Sequence, residues 1–216
     1  MEYKVIETKG IIYIETVPGS NEWYWGTDYA WGDLYEVEDS IAEGYETKPN
    51  RLIFIKYPKG ELREPVKASK GQYFDRPVLS DGKIYFLMVD FLKKEIWIYK
   101  ASEDLSDVQK CAIIDLREVK NCYNLHLATY PLMLTRQGEE NVFEEIWPGR
   151  TSFPIGERES FMHRDGDKLY FSCWDEDEDD NYSEEVIVRA YPGGEIIETI
   201  EGSLVDLPNG EKWVLK

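Results

Sequence analysis

One turn recurs along this chain at nearly constant spacing, each time joining two β-rich runs. Its clearest copies are Ile53-Phe54-Ile55-Lys56-Tyr57-Pro58-Lys59-Gly60-Glu61-Leu62 and Val186-Ile187-Val188-Arg189-Ala190-Tyr191-Pro192-Gly193-Gly194-Glu195-Ile196. Looser copies run Val5 to Ile11, Ile96 to Ser102 and Glu145 to Gly149. Gly10, Gly60, Ser102, Gly149 and Gly194 then mark intervals of 50, 42, 47 and 45 residues. A strand-rich period of about 40–45 residues is the mark of a propeller blade, a four-stranded sheet repeated around a centre.

A second hairpin repeats out of phase with the first. Pro77 to Leu87, with Asp81-Gly82 at its centre, reads strand, tight turn, strand. So do His163 to Phe171 around Gly166 and Asp206 to Leu215 around Asn209-Gly210, and Tyr130-Pro131 marks the corresponding turn of the third repeat. Asp-Gly and Asn-Gly suit two-residue hairpins because both central positions need positive φ. Two hairpins per period make four antiparallel strands per blade. Residues 21–68, 72–116, 123–155 and 159–200 therefore read as four blades. Residues 203–207 and 211–215 supply half of another blade, and residues 3–8 and 11–17 supply the other half. The expectation is an all-β, single-domain, five-bladed β-propeller over residues 1–216, closed by pairing of residues 211–215 with residues 3–8. Such closure removes exposed sheet edges. The alternative is a four-bladed propeller with a long insertion at 18–50.

Composition agrees with one compact, strand-built domain. The chain of 216 residues carries 15 Tyr, 8 Phe and 7 Trp, and a single core at this length buries about 70% of the unfolded surface. No stretch holds a helical period over three turns; Asp104 to Val119 comes nearest, and its Ala112-Ile113-Ile114-Asp115-Leu116 also reads as an outer strand. The net charge of −18, from 43 acidic and 25 basic residues, opposes binding to phosphate backbones and anionic lipid. No apolar run reaches the length of a membrane span. Met-Glu-Tyr-Lys-Val lacks the basic and apolar regions of a signal peptide, so the expected location is the cytoplasm, with secretion after removal of a leader as the alternative. Cys111, Cys122 and Cys173 form no Cys-x-x-Cys pair and read as reduced, buried thiols.

The strings Ser80-Asp81-Gly82-Lys83-Ile84-Tyr85-Phe86 and Asp167-Lys168-Leu169-Tyr170-Phe171 resemble the blade hairpins of bacterial β-propeller repeat proteins. The resemblance spans the whole chain as a period but only a few residues per blade as a motif. It implies the fold and nothing about chemistry. The Gly-His and Trp-Asp pairs of WD40 blades are missing, as are the Asp boxes of sialidases.

In a propeller the first strand of each blade lines the central funnel, the default ligand site. The five-blade register puts Trp23, Trp25, Asp75, Arg76, Asn124, His126, Glu159, His163 and Asp206 on those strands. Asp75, Glu159 and Asp206 form a candidate carboxylate set of the kind that glycoside hydrolases use as acid and base or nucleophile. The simpler reading is polar groups solvating a tunnel. Trp23, Tyr24, Trp25, Tyr29 and Trp31 put five aromatics in nine residues. Such a cluster at a rim stacks on sugars or anchors a protein, whereas the shared parity of Trp23, Trp25 and Tyr29 also suits core packing between sheets. Asp175, Asp177 and Asp179 have the one-three-five spacing of a calcium loop, but Asp180 and Val186 stand where that loop needs Gly and Glu, so a solvated hairpin tip is expected. His126 and His163, the only histidines, lie one blade apart and read as hydrogen-bonded structural residues rather than metal ligands. The functional expectation is a non-catalytic binding propeller for a protein or glycan, acting through the funnel or the aromatic segment, with no cofactor. The alternative is a glycosidase-like enzyme using the three carboxylates.

Overall fold

The computed structural model describes residues 3–28, 32–176, 182–206 and 211–216, apart from the side chains of Glu176 and Asp206. It divides into two compact units, Met1–Cys122 and Tyr123–Lys216. Each unit contains two successive up-and-down antiparallel sheets, the blade pattern of a β-propeller.

In the first unit, sheet one runs β1 (Glu15–Thr16), β2 (Trp23–Thr27), β3 (Leu52–Lys56) and β4 (Glu61–Arg63). Sheet two runs β5 (Gln72–Phe74), β6 (Val78–Ser80), β7 (Lys83–Asp90), β8 (Glu95–Ala101) and β9 (Val108–Asp115). Here β5 and β6 both pair with β7, as two pieces of one first strand. The break falls at Asp75-Arg76-Pro77, and Pro77 has no N–H to give a ladder. In the second unit, sheet three runs β10 (His126–Ala128), β11 (Met133–Gly138), β12 (Val142–Trp147) and β13 (Thr151–Pro154). Sheet four runs β14 (Glu159–Asp165), β15 (Lys168–Glu176), β16 (Tyr182–Ala190) and β17 (Ile196–Glu201). A last hairpin pairs β18 (Ser203–Asp206) with β19 (Lys212–Leu215) as a two-stranded sheet.

The blade count is therefore four, not five, and it matches the four-blade alternative. Among the described residues, 3–14 form no strand. They lie along sheet one instead. Ile6 and Ile11 pack on Ile53 and Ile55, Lys4 Nζ donates to the Pro58 and Lys59 carbonyls at 3.0 and 2.8 Å, and the Arg51 guanidinium donates to the carbonyls of Thr8 and Lys9. The insertion is shorter than residues 18–50, because Trp23–Thr27 is the second strand of sheet one, with Glu15 opposite Trp25. What is inserted is residues 28–51, and these include a helix, α1 (Leu34–Ala42). Asp33 caps its first turn and Glu36 reaches back to the Asp33 N–H, a capping box. Gly44 at φ +87° ends it, with Tyr45 N–H on the Ser40 carbonyl and Gly44 N–H on that of Ile41, which is the Schellman arrangement. Leu34 and Val37 are its buried contacts.

The two clearest copies of the recurring turn share one hydrogen bond. Gly60 N–H bonds the Lys56 carbonyl and Gly194 N–H the Ala190 carbonyl, each at 2.7 Å. Both glycines have positive φ, +72° and +81°, a region closed to most side chains. The bonds Tyr57-Pro58, Tyr130-Pro131, Trp147-Pro148 and Tyr191-Pro192 are cis. At the offset hairpin, Asp81 and Gly82 both take positive φ.

Period-two alternation builds both cores. In the first unit Trp23, Trp25, Leu52 and Phe54 of sheet one meet Ile84, Phe86, Met88, Trp97 and Tyr99 of sheet two. In the second unit Phe143 and Phe153 of sheet three meet Phe161, Leu169, Phe171 and Ile187 of sheet four. Burying each ring supplies about 1.5–3 kcal/mol.

Each core is flanked by a side-chain amide that acts as a missing strand. Asn50 donates to the Phe74 carbonyl at 2.8 Å and accepts from the Phe74 N–H at 2.7 Å, satisfying the edge of β5 turned away from β7. Gln137 does the same for β14, donating to the Glu159 carbonyl and accepting from the Phe161 N–H at 2.9 Å. Replacing either by Leu leaves a donor and an acceptor unpaired. Asn50→Leu and Gln137→Leu are each expected to cost about 2–4 kcal/mol, read from the urea midpoint; a midpoint equal to that of the unaltered chain counts against the clamps.

Tyr99 gives a pH test of the first core. It stacks on Phe86 with centroids 5.0 Å apart. Burial, then the charge of Asp90, pushes its phenol up to about 12. The folded state holds this proton after the unfolded state has released it, so stability is full below about pH 10 and falls between about pH 10 and 12. Tyr99→Phe should remove roughly one proton's worth of that slope in denaturant melts across the window; an unchanged slope refutes it.

Candidate functional site

In the first unit, Trp23 and Trp25 are 3% and 5% exposed. They sit on the second strand of sheet one, not on a first strand, and their parity turns both rings into the core. Trp23 meets Phe54 edge-on at 6.4 Å. Neither ring offers a face to a ligand in this fold. Tyr29 and Trp31 lie outside the described residues. Asp75 and Arg76 fall in the break between β5 and β6; Asp75 is half-buried with its N–H on the Leu87 carbonyl, and Arg76 is exposed.

The remaining sequence candidates belong to the second unit. His126 opens β10 opposite Thr135. His163 is buried on β14 beside a register shift and stacks on Tyr170 at 4.5 Å with the rings 11° apart. Asp206 pairs through its backbone with Lys212, and its side chain lies outside the described residues. Asp175 is exposed and ion-paired with Arg158; Asp177 and Asp179 lie outside the described residues. Among the described residues no cluster of His, Cys, Asp and Glu is placed to hold a metal ion. Of the three thiols only Cys122 is buried; Cys111 is exposed and Cys173 half-buried.

Glu159, the first residue of β14, is buried in an extended ion pair. Arg189 Nε donates to its Oε2 at 2.8 Å and Arg189 Nη2 to its Oε1 at 2.7 Å. The Gly156 N–H adds a third bond at 2.9 Å, and Arg189 Nη1 continues to the Gly194 carbonyl at 2.6 Å. A side chain at position 156 would put its Cβ 2.9 Å from that carboxylate oxygen. The guanidinium lies about 6 Å from the rings of Phe153 and Phe171. Both Glu159 oxygens are thus engaged. A second polar lock joins sheets three and four. The Gly149 N–H donates to Glu145 Oε1 at 2.9 Å, and Arg164 Nη1 lies 3.9 Å from Oε2. The Arg164 guanidinium covers the Tyr191 ring at 3.4 Å. Burial, then the bond to Glu145, raises the Tyr191 phenol pKa.

The exposed chemistry lies elsewhere, at the far end of sheet four. The last residue of sheet four that β14 pairs is Cys173, opposite Glu159. Beyond it β15 and β16 continue as a two-stranded projection, through Trp174–Glu184, Asp175–Ser183 and Glu176–Tyr182. Losing the first strand uncovers Trp174, which is 45% exposed; Tyr182 is 63% exposed. Arg158 sits 5.4 Å over the Trp174 ring while pairing with Asp175. The Tyr182 hydroxyl donates to Glu184 at 3.4 Å, and the Ser203 hydroxyl of β18 donates to the same carboxylate. On β19, Trp213 is 54% exposed, with Nε1 on Glu211 Oε2 at 3.3 Å. The sequence signal for this region was the pair Trp174 and Tyr182 bracketing the acidic run, hidden because the run itself reads as a solvated tip.

No family model matches the chain, and no curated protein matches it significantly. Solved structures do. The chain is similar to part of a nidogen/laminin complex at 14% identity, covering 83% of this chain and 59% of the other, with a TM-score of 0.42. It is similar to Porphyromonas gingivalis dipeptidyl peptidase 4 at 8% identity, over 89% and 37% of the two chains, with a TM-score of 0.45. It is also similar to a bifunctional GH43-CE protein of Bacteroides eggerthii at 10% identity, over 96% and 31%, with a TM-score of 0.45. The chain thus spans only part of the length of each.

The Glu159–Arg189 pair is open to a direct test. Glu159→Gln keeps the shape but leaves a buried guanidinium unneutralised, and Arg189→Met leaves a buried carboxylate. Each should cost about 3–5 kcal/mol in urea unfolding, and the double variant should recover much of that loss. Additive losses in the double variant would show that the two groups do not act as a pair.

Proposed function

We propose that this chain is a non-catalytic binding module that recognises a protein or a glycan. The observation that carries this reading is a division of labour in sheet four. Glu159, a buried member of the three-carboxylate set, is engaged by Arg189 and Gly156. The large rings of Trp174, Tyr182 and Trp213 stand in solvent instead. Exposed Trp and Tyr rings with a hydrogen-bonding edge are the side chains most enriched at binding hot spots. The recognition surface moves accordingly from the Trp23 to Trp31 segment to the end of sheet four and the terminal hairpin.

The test pairs an activity assay with a binding assay. Aryl glycosides should show no turnover above that of the Asp75→Asn and Glu159→Gln variants. Titration with soluble oligosaccharides and candidate proteins should change tryptophan emission, and Trp174→Ala or Trp213→Ala should weaken that response about tenfold or more without shifting the melting temperature. Turnover that Asp75→Asn abolishes in a fully folded variant would replace this reading with the glycosidase one.

A further inference from the structure

Trp174, Glu184 and Tyr182 share one face of the β15–β16 projection, because Trp174 is the cross-strand partner of Glu184 and Tyr182 lies two residues before it. Ser203 carries that face onto the terminal hairpin through its hydroxyl bond to Glu184. By the same alternation Ser203, Leu215, Val205 and Trp213 share a side of the hairpin, as the pairs Ser203–Leu215 and Val205–Trp213. These two faces, joined at the Ser203–Glu184 bond, carry Trp174, Tyr182, Trp213 and Leu215, all about half exposed or more.

Carboxylates are set among these rings. The Tyr182 hydroxyl donates to Glu184 and the Trp213 indole N–H to Glu211, so each ring is held at its edge by a carboxylate while more than half of it stays exposed. Asp175 adjoins Trp174 in sequence. Within the same unit, Arg158 shows what this surface accepts: its guanidinium lies over the Trp174 ring while its charge meets Asp175. A planar cation stacked on an indole with an acid at its edge gains both cation–π and ionic contact. The whole chain, at a net charge of −18, adds long-range attraction for a positive partner.

We infer that the side bearing Trp174, Tyr182 and Trp213 is a docking surface for an arginine-bearing segment of a partner protein. Its guanidinium groups stack on the rings and pair with Asp175, Glu184 and Glu211. Arg158 occupies the Trp174 position in the free chain, so a partner arginine competes with it there. This inference rests on the binding-module reading and names its partner class.

The experiment uses the full chain and a fluorescein-labelled peptide of alternating arginine and glycine, read by anisotropy. Saturable binding is expected. Raising ionic strength from about 50 to about 500 mM should weaken it several-fold. Trp213→Ala and Tyr182→Ala, which leave the net charge unchanged, should each weaken it about tenfold, whereas Tyr57→Ala, an exposed ring of the first unit, should not. Arg158→Ala should tighten it by freeing Trp174. Melts of each variant verify folding. A glutamate–glycine peptide binding equally well, or ring variants binding like the unaltered chain, overturns the proposal. Oligosaccharide binding that is salt-independent and lost in Trp213→Ala, with no peptide binding, overturns the arginine partner while the binding-module reading stands. Turnover of aryl glycosides with neither kind of binding overturns both.

Discussion

Everything in this chain depends on strands having two faces of which at least one must be hidden. A lone four-stranded meander cannot bury the rings that β-propensity places on it, so each sheet in a unit needs its neighbour. The period-two rows make this explicit. Ile84, Phe86 and Met88 descend one side of β7, and Trp97, Tyr99 and Ala101 descend the same side of β8, facing Trp23, Trp25 and Phe54. Phe143, Phe153, Phe161 and Phe171 do the same in the second unit with ring centroids 4.8–6.3 Å apart. Aromatic pairs at this separation add about 0.5–1.5 kcal/mol beyond area burial.

Much of this architecture was readable in advance. The ranges 72–116, 123–155 and 159–200 anticipated from the repeat agree closely with sheets two, three and four, because turns and alternation are local properties and a hairpin needs only its own residues, whereas sheet one begins at Glu15, outside the anticipated 21–68. What failed was the reading of the N-terminal residues. Their alternation resembles a hairpin, but Ile6 and Ile11 find burial on Ile53 and Ile55 without forming a ladder, and alternation alone does not distinguish the two. The helix at Leu34–Ala42 was missed for another reason. It is too short for a convincing period, yet Asp33, Glu36 and Gly44 spelled out both of its caps.

Sites were far less legible than fold. Trp23 and Trp25 drew notice by composition and proved to be core, since a dense aromatic run on a strand is what an intersheet core requires. The buried charges went the other way. Arg136, Glu145 and Arg189 carry no mark of burial in the sequence, and the fold brings distant partners within reach: Glu144 for Arg136, Arg164 for Glu145 and Glu159 for Arg189. Trp174 is exposed because β14 stops at Glu159 while β15 continues, a difference of strand lengths that no single segment records.

The side-chain amides at the strand edges have a consequence on the timescale of ageing. Asn50 works because one end of its amide donates and the other accepts, matching the N–H and carbonyl of Phe74. Slow hydrolytic loss of ammonia would turn that amide into a carboxylate. Its nitrogen would become a second oxygen facing the Phe74 carbonyl, and a negative charge would enter a buried site. The shape of the side chain would hardly change while the join it makes would be lost. The lifetime of the first unit is therefore tied to the chemical durability of one amide, and burial of Asn50, which restricts the backbone motion that cyclisation requires, protects the bond that keeps it buried.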